Sequence, residues 1–263
     1  MKTRNLFLAL SLACCSTFAL ADDWSFVDTN INRLEWTAPT VTRTNEGPFA
    51  QKSSFTYAEL EGGKGGDWGD LYGFMDIENP FNRNDNTEDN RMDRRVSTKA
   101  VARFKLTEIG DLPLMLYASV YDTRDNGFYD QNRVLGFGTN LSFGKLWIHP
   151  FLGVAQELKS DVGAHFSGGM GGYVLGYNFD AFGQSFTLCQ WQETEFARKT
   201  EYLSMAEGGN VVTAGKTGQN GAISVWWNVN KHVTTGVSYR YAENKLGDAG
   251  YVSALIYTLK YNF

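Results

Sequence analysis

Apolar and polar side chains alternate along most of this chain with a period of two, which is the side-chain repeat of a β-strand. The pattern is clearest from Phe55 to Ile77, where one face is aliphatic or small and the other mixes aromatic and carboxylate side chains. The run Gly62–Gly66 inside this stretch predicts a chain reversal between two strands. A soluble sheet normally hides aromatics and exposes carboxylates, so a face that mixes them favours a barrel with a lipid-facing outside and a wet inside.

The same alternation predicts strands over the rest of the chain, with no amphipathic helix and no linker between them. A less regular first strand is expected between Trp24 and Trp36. The later strands are expected at Ser97–Thr107, Leu114–Asp122, Arg133–Phe143, Leu146–Glu157, Ala164–Phe179, Gln184–Phe196, Gly221–Val229, Val233–Tyr241 and Tyr251–Phe263. With the hairpin this makes about twelve strands, an even number as in barrels of the bacterial outer membrane.

The lengths of the connections indicate how such a barrel is oriented. If the first strand starts at the periplasm, the outer connections are mostly long and polar, as at Glu78–Asp93 and Lys199–Asn220. The periplasmic connections are short, as at Gly144–Lys145 and Asn230–Lys231, and one outer connection, Lys159–Asp161, is short as well. Short periplasmic turns and long outer loops are typical of this class. The sequence therefore predicts an all-β fold, a transmembrane antiparallel up-and-down β-barrel.

Residues 1–21 have the features of a cleaved export signal. Lys2 and Arg4 give a positive start, an apolar core follows, and Ala19–Ala21 is a small-x-small cleavage site. A lipid-anchored start at Cys14 is the alternative, but the residues before it fit the usual pattern poorly. We expect residues 22–263 to form a single barrel domain in the bacterial cell outer membrane.

The last strand has a regular pattern that ends on the terminal aromatic residue, Phe263. An alternating final strand of this kind resembles the signal that the barrel assembly machinery of the outer membrane reads; an ordinary edge strand is the alternative interpretation. Its residues of one parity are Tyr251, Leu255, Tyr257, Leu259, Tyr261 and Phe263. Aromatic residues near strand ends are expected to form girdles at the two membrane interfaces: Trp36, Trp147, Trp191, Trp226, Trp227, Tyr251 and Tyr261.

Charge and motif content exclude several other functions. The formal net charge of −5 argues against a nucleic-acid-binding surface, which would be basic. The three histidines, His149, His165 and His232, lie far apart and do not have metal-ligand spacing. We therefore predict no metal, no cofactor and no catalytic residues.

One hairpin carries a resemblance to a known family. The segments Thr56–Glu61 and Asp67–Asp76 resemble the signature hairpin of the Tsx/OmpK family, and Ala102–Phe104, Gly136–Thr139 and Lys260–Phe263 fit it as well. Members of that family are nucleoside-specific channels of the Gram-negative outer membrane, which some phages and colicins use as receptors. The resemblance implies a narrow twelve-stranded barrel whose lumen passes nucleosides and deoxynucleosides. The expected partners are a nucleoside or similar small polar solute, outer-membrane lipid and lipopolysaccharide, the assembly machinery, and a phage or colicin.

If the aliphatic faces contact lipid, the opposite faces of the hairpin and of the next strand line the lumen. Aromatic rings there would stack on a nucleobase, a contact of about 1–3 kcal/mol per base. Charged groups would bond ribose hydroxyls and base edges weakly enough to release them, as passive diffusion through a channel requires. The predicted pore-lining and substrate-binding residues are Phe55, Tyr57, Glu59, Glu61, Trp68, Asp70, Tyr72, Phe74, Asp76, Lys99, Arg103 and Lys105. We expect the channel to be a monomer.

Two other functions compete with this hypothesis. The first is a surface receptor or adhesion barrel with a blocked lumen, whose long outer loops would be the active part. The second is a lipid hydrolase, because some outer-membrane enzymes place a histidine base and a serine nucleophile two residues apart on a lipid-facing strand. His165 and Ser167 have that spacing, but Gly168 stands where those enzymes have asparagine.

Overall fold

The computed structural model describes residues 23–37, 54–81, 94–124, 129–160, 162–207, 210–245 and 250–263. The expected export signal lies outside these residues. The strands are β1 (Trp24–Trp36), β2 (Phe55–Gly66), β3 (Gly69–Glu78), β4 (Arg95–Ile109), β5 (Leu112–Arg124), β6 (Tyr129–Gly138), β7 (Leu141–Phe143), β8 (Leu146–Lys159), β9 (Gly163–Ala181), β10 (Gln184–Phe196), β11 (Ser204–Glu207), β12 (Asn210–Thr213), β13 (Gly218–Asn228), β14 (Val233–Glu243) and β15 (Tyr251–Asn262). A short 3-10 helix, Thr200–Tyr202, precedes β11. No helix in the described part of the chain is long and apolar enough to span a bilayer.

Hydrogen bonds join these strands into one closed antiparallel barrel. Each barrel strand pairs with the next along the chain, and β15 pairs with β1, where Thr29 lies opposite Tyr261. Strands β6 and β7 are two segments of one barrel strand because both pair with β8. The barrel therefore has twelve strands, as predicted, and β11 and β12 form a separate hairpin. A closed sheet leaves no unpaired edge.

Side chains along the strands alternate between a polar interior and an apolar exterior. On β1, Asp28, Asn30 and Asn32 are buried, whereas Val27 and Ile31 are 51% and 64% exposed. The predicted alternation is thus confirmed, with the apolar positions outward. An apolar exterior around a polar interior is the arrangement of a barrel that crosses a membrane.

The glycine run Gly62–Gly66 belongs to β2 and does not form the predicted turn. Its residues from Gly62 to Gly65 pair with β1, and the chain reverses instead at Asp67 and Trp68. The glycines allow an aromatic ring of β1 to lie over the strand: a Cβ added at Gly65 would stand 2.4 Å from the indole of Trp24. Aromatic side chains that cover strand glycines in this way are a recurrent device for fixing register.

The predicted aromatic girdles require outward-facing residues, and Trp227, Tyr251 and Tyr261 are exposed on the outer face. The girdle prediction is wrong for Trp147 and Trp226, which are buried in the interior, and for Trp191, which lines the lumen. Trp226 and Trp227 are neighbours on one strand, and neighbours must point to opposite faces.

The start of the connection between β10 and β13, residues 197–203, folds onto one end of the barrel. Tyr202 and Leu203 are 0% and 2% exposed although they lie outside the strands. The Tyr202 hydroxyl donates to the carbonyl of Gly163 at 3.1 Å, and Lys159 Nζ donates to the carbonyl of Tyr202 at 3.5 Å. Residues 197–203 therefore pack against the adjoining ends of β8 and β9.

Gly69→Ala should destabilise the barrel more than Gly110→Ala does. Both glycines have positive φ at short turns between strands, 127° and 63°, so both alanines are strained. Only at Gly69 would the new Cβ also collide with a backbone atom, the carbonyl oxygen of Arg103 at 1.9 Å; nothing lies within 4 Å at Gly110. We expect a loss of about 2–4 kcal/mol at Gly69 and about 1 kcal/mol at Gly110, measured as free energies of unfolding in urea. Equal losses would contradict this interpretation.

Candidate solute-binding site in the barrel lumen

The interior of the barrel contains a cavity of about 240 Å³. Inward-facing side chains from all twelve barrel strands line it, from Asn32 on β1 to Thr258 on β15. The cavity is therefore the lumen itself rather than a pocket between two elements. A volume of this size accommodates one small solute and not a wide aqueous channel.

A buried ion cluster holds β1, β2 and β15 together beside the cavity. The Lys260 side chain has no exposed surface; its ammonium pairs with Glu61 and lies 3.3 Å from Asp28 Oδ2. Asn30 and the Tyr72 hydroxyl also donate to the Glu61 carboxylate, at 3.2 Å and 2.9 Å. Because its oxygens already have these partners, Glu61 supports the wall rather than offering an acceptor to a solute.

The β2–β3 wall presents aromatic rings and carboxylates to the cavity. Glu59 and Asp76 lie opposite each other in register, and both line the cavity with Tyr57 and Phe74. The rings of Tyr72 and Phe74 meet edge to face, with centroids 6.3 Å apart. This wall offers flat apolar faces beside hydrogen-bond acceptors.

Cations surround an aromatic ring on another part of the lining. The guanidinium of Arg240 lies 4.5 Å from the ring centroid of Trp191, and Lys99 Nζ lies 5.8 Å from the same centroid. Arg103 lies deeper, bound to Asp70 at 2.8 Å and to His149 Nδ1 at 2.5 Å. Cations over an indole face are attracted to its negative ring face, so this part of the wall combines an aromatic surface with cationic donors.

An ion pair between Lys99 and Glu193 crosses the lumen. Lys99 is on β4 and Glu193 on β10, which are five strands apart around the barrel in one direction and seven in the other. Their contact joins nearly opposite walls, so the lumen at this level is only as wide as two side chains. Both side chains keep some exposure, 17% and 16%, and both line the cavity. We refer to this pair as the crossbar.

The comparison with known families identifies the chain. A family model described as "nucleoside-specific channel-forming protein, Tsx" matches residues 31–263. The chain belongs to the Tsx family. The resemblance found in the hairpin is thereby confirmed, and the protein is a barrel of the bacterial outer membrane.

Two solved structures of outer-membrane proteins align with most of this chain at low TM-scores and low identity. An outer membrane channel from Pseudomonas putida F1 has a TM-score of 0.47 and 9% identity, covering 97% of this chain and 100% of that chain. A loop-deletion mutant of OmpT, an outer membrane protein of Vibrio cholerae, has a TM-score of 0.39 and 8% identity, covering 92% and 99%.

The cavity of this Tsx-family barrel contains many of the side chains expected from the sequence. Glu61 and Asp70 also face inward but are bound to Lys260 and Arg103, and Phe55 packs on Tyr57 at 5.9 Å near the outer end of β2. The predicted residues that line the cavity are Tyr57, Glu59, Tyr72, Phe74, Asp76, Lys99 and Arg103.

Two predicted lining residues lie away from the cavity. Trp68 is in the β2–β3 turn, where its ring packs 6.0 Å from the outward-facing ring of Phe104. The prediction for Trp68 is wrong because the chain reverses there and not at the glycine run. Lys105 is at the periplasmic end of β4, 38% exposed and paired with Glu108.

The residues predicted to line the lumen include none from the other strands, although the same alternation marks the inward faces of those strands. The rings of Tyr117 and Phe151 stack at 4.1 Å and an interplanar angle of 6°. Extending the period-two rule beyond the signature hairpin would have indicated these positions. The main lining residues missed are Tyr117, His149, Phe151, Trp191, Glu193 and Arg240.

A second ion network joins the barrel to its outer connection. Glu195 at the end of β10 pairs with Lys245 beyond β14 and with Arg198, whose Nε lies 2.9 Å away. Arg198 also donates to the carbonyl of Asn244 at 2.8 Å. Burial alone would lower the pKa of Lys245, but the adjacent Glu195 carboxylate outweighs it and raises that pKa above its ordinary value. The network ties together the outer ends of β10 and β14.

The residues proposed for a lipid hydrolase do not face lipid as that chemistry requires. Phe166, between His165 and Ser167, is the outward-facing residue and is 64% exposed. Ser167 is 3% exposed, and its hydroxyl accepts a hydrogen bond from the backbone N–H of Lys199 at 3.4 Å.

Among the described residues, no group of three or more His, Cys, Asp or Glu side chains is arranged to hold a metal ion.

Lys260→Met should destabilise the barrel strongly, because it leaves the buried Asp28 and Glu61 carboxylates without their cation. We expect a loss of about 3–5 kcal/mol in the free energy of unfolding in detergent micelles. The matched control is Lys145→Met, which removes a lysine from an exposed pair with Asp180 at 3.6 Å and should change that free energy by less than about 0.5 kcal/mol. Similar losses in the two variants would show that the buried cluster does not stabilise the fold.

Proposed function

We propose that this Tsx-family barrel is a passive channel through which nucleosides or similar small polar solutes cross the outer membrane. The observation that carries the proposal is the lining of the cavity, where aromatic rings alternate with carboxylates on one wall and with cations on another. The matched family is described as nucleoside-specific and channel-forming, and the match spans nearly the whole barrel.

Each part of a nucleoside has a matching group in the lumen. The base is an aromatic plane, and the rings of Tyr57, Phe74 and Trp191 offer surfaces on which it can stack at about 1–3 kcal/mol per contact. The ribose hydroxyls are donors that suit the carboxylates of Glu59 and Asp76, and carbonyl groups on the base suit cationic donors. Contacts of this strength bind a passing solute and still release it, as conduction requires.

The cavity favours a solute pathway over the alternative of a receptor barrel with a blocked lumen. A filled interior would have side chains in van der Waals contact across the whole section, whereas this lumen keeps a space of about 240 Å³. The lipid hydrolase has no comparable support, because the Ser167 hydroxyl is buried on the inner side of its strand.

The remaining partners expected from the sequence stay proposals: the assembly machinery, lipopolysaccharide, and a phage or colicin, with the barrel acting as a monomer. Recognition of the last strand by the assembly machinery is supported by the outward, exposed positions of Tyr251, Tyr257, Leu259 and Tyr261. The outer side of the barrel is where a phage or colicin would bind.

Phe74→Ala should weaken nucleoside binding in the lumen about tenfold, because it removes one stacking surface. The measurement is the apparent Kd for block of single-channel current by adenosine in planar bilayers. Phe137→Ala is the matched control, since Phe137 is 55% exposed on the outer face and its loss should leave the Kd unchanged. An unchanged Kd for Phe74→Ala would exclude this ring from solute binding.

Removing the crossbar should widen the lumen. The double variant Lys99→Ala with Glu193→Ala deletes both partners, so no unpaired charge is left, and we expect the open-channel conductance to rise roughly twofold. The matched control, Lys145→Ala with Asp180→Ala, deletes an exposed ion pair at the periplasmic turns and should leave conductance unchanged. If the crossbar variant conducts like wild type, this ion pair does not limit the pore.

A further inference from the structure

A group of polar side chains interrupts the apolar exterior at the outer ends of β5, β6 and β8. Register pairs place Asp122 opposite Gln131 and Arg133 opposite Gln156, so these side chains adjoin on one continuous surface. We call the group the outer polar cluster; its members are Asp122, Arg124, Gln131, Arg133 and Gln156.

The outer polar cluster faces the membrane side of the barrel. Arg133 lies opposite Val120 on β5, and Leu135, two residues along β6, is 56% exposed. Gln156 lies opposite Phe166 on β9, which is 64% exposed. Val134, which lies between Arg133 and Leu135 on β6, is buried in the interior. The cluster therefore lies at the outer edge of the lipid-facing apolar band.

Hydrogen bonds to neutral groups hold the guanidinium of Arg133 in place. Its Nε donates to Gln131 Oε1 at 2.5 Å, and its Nη1 donates to Gln156 Oε1 at 3.0 Å. A guanidinium has five N–H donors, and these contacts use two of them. Glutamine carbonyls orient the group without cancelling its charge, so Arg133 keeps donors and a full positive charge for an anion.

The cluster as a whole carries net positive charge. Asp122 is its one carboxylate, and its two oxygens accept from Arg124 Nε and Nη2 at 2.6 Å and 2.9 Å. Gln131 Nε2 also donates to this carboxylate, at 2.6 Å. The cluster thus contains one carboxylate and two guanidiniums, which leaves one net positive charge. The Arg124 side chain remains 63% exposed.

We propose that the outer polar cluster binds a phosphate of lipid A, the phosphorylated glucosamine lipid of the outer leaflet. Arginine forks match phosphate oxygens in a bidentate manner and bind them more strongly than neutral donors do. The ligand is a lipid because the exposed apolar side chains Val120, Leu135 and Val154 adjoin the cluster and offer a surface for acyl chains. The proposal rests on the position of the barrel in the outer membrane and is independent of which solute the lumen carries.

An outward-facing arginine elsewhere on the barrel lacks the net positive charge of the outer polar cluster. Arg33 on β1 also points outward near the outer end of its strand, but its Nε lies 2.6 Å from the carboxylate of Glu35. That pair carries no net charge, and it supplies a matched control on the same face of the membrane.

The test measures the Kd of the purified full-length barrel for bisphosphorylated lipid A in detergent micelles by native mass spectrometry. Arg124→Gln with Arg133→Gln should raise the Kd about tenfold or more, because charge-assisted bonds to phosphate are lost. Arg133→Lys, which keeps the charge and loses the fork, should give an intermediate Kd, and Arg33→Gln should leave it unchanged. Each variant counts as folded if its unheated sample migrates faster on a denaturing gel than its heated sample does.

Three results would overturn the assignment. They are an unchanged Kd in the double variant, equal binding of lipid A from which the phosphates have been removed, and equal affinity for phosphatidylglycerol. A Kd that rises as much in Arg33→Gln as in the double variant would also contradict it, because it would show a general charge effect.

Discussion

The structure depends on closure of its backbone hydrogen-bond ladder. A bilayer supplies no hydrogen-bond partners, so every strand that crosses it needs a neighbour on both sides. The β1–β15 pairing, with Thr29 opposite Tyr261, meets that requirement for the first and last strands. Closure also decides where side chains go, because alternate residues must then point into a narrow common interior. The existence of an enclosed lumen is therefore a consequence of the ladder.

A narrow interior with many ionisable groups has to pair its charges, and the pairs divide into two kinds. Lys260, Asp28 and Glu61 have almost no exposed surface and hold three strands together. The crossbar of Lys99 and Glu193 lines the open cavity and stays partly exposed. Buried pairs are costly to break, whereas partly exposed groups can exchange a protein contact for a solute contact. The buried cluster therefore stabilises the barrel, whereas the crossbar and the other partly exposed groups are the ones that can contact a solute.

The strands were predictable because one physical rule, alternation between lipid and lumen, acts on every one of them. The expected bounds of β10, Gln184–Phe196, agree with the structure, and the inward faces of β2, β3 and β4 hold most of the expected lining. The glycine run was wrongly predicted to be a turn, because the side chain that requires glycine there, the ring of Trp24, lies on another strand. The crossbar joins residues 94 positions apart, and no local pattern specifies which inward residues of distant strands will meet.

The central claim is that the lumen binds nucleosides as it passes them. The most direct test is the initial rate of entry of radiolabelled adenosine and of ribose into liposomes that contain the purified barrel. If aromatic and charged side chains bind the nucleoside, adenosine should enter faster than the smaller ribose at low concentration, and its rate should saturate as concentration rises. Rates that increase linearly for both solutes and follow molecular size alone would contradict the claim.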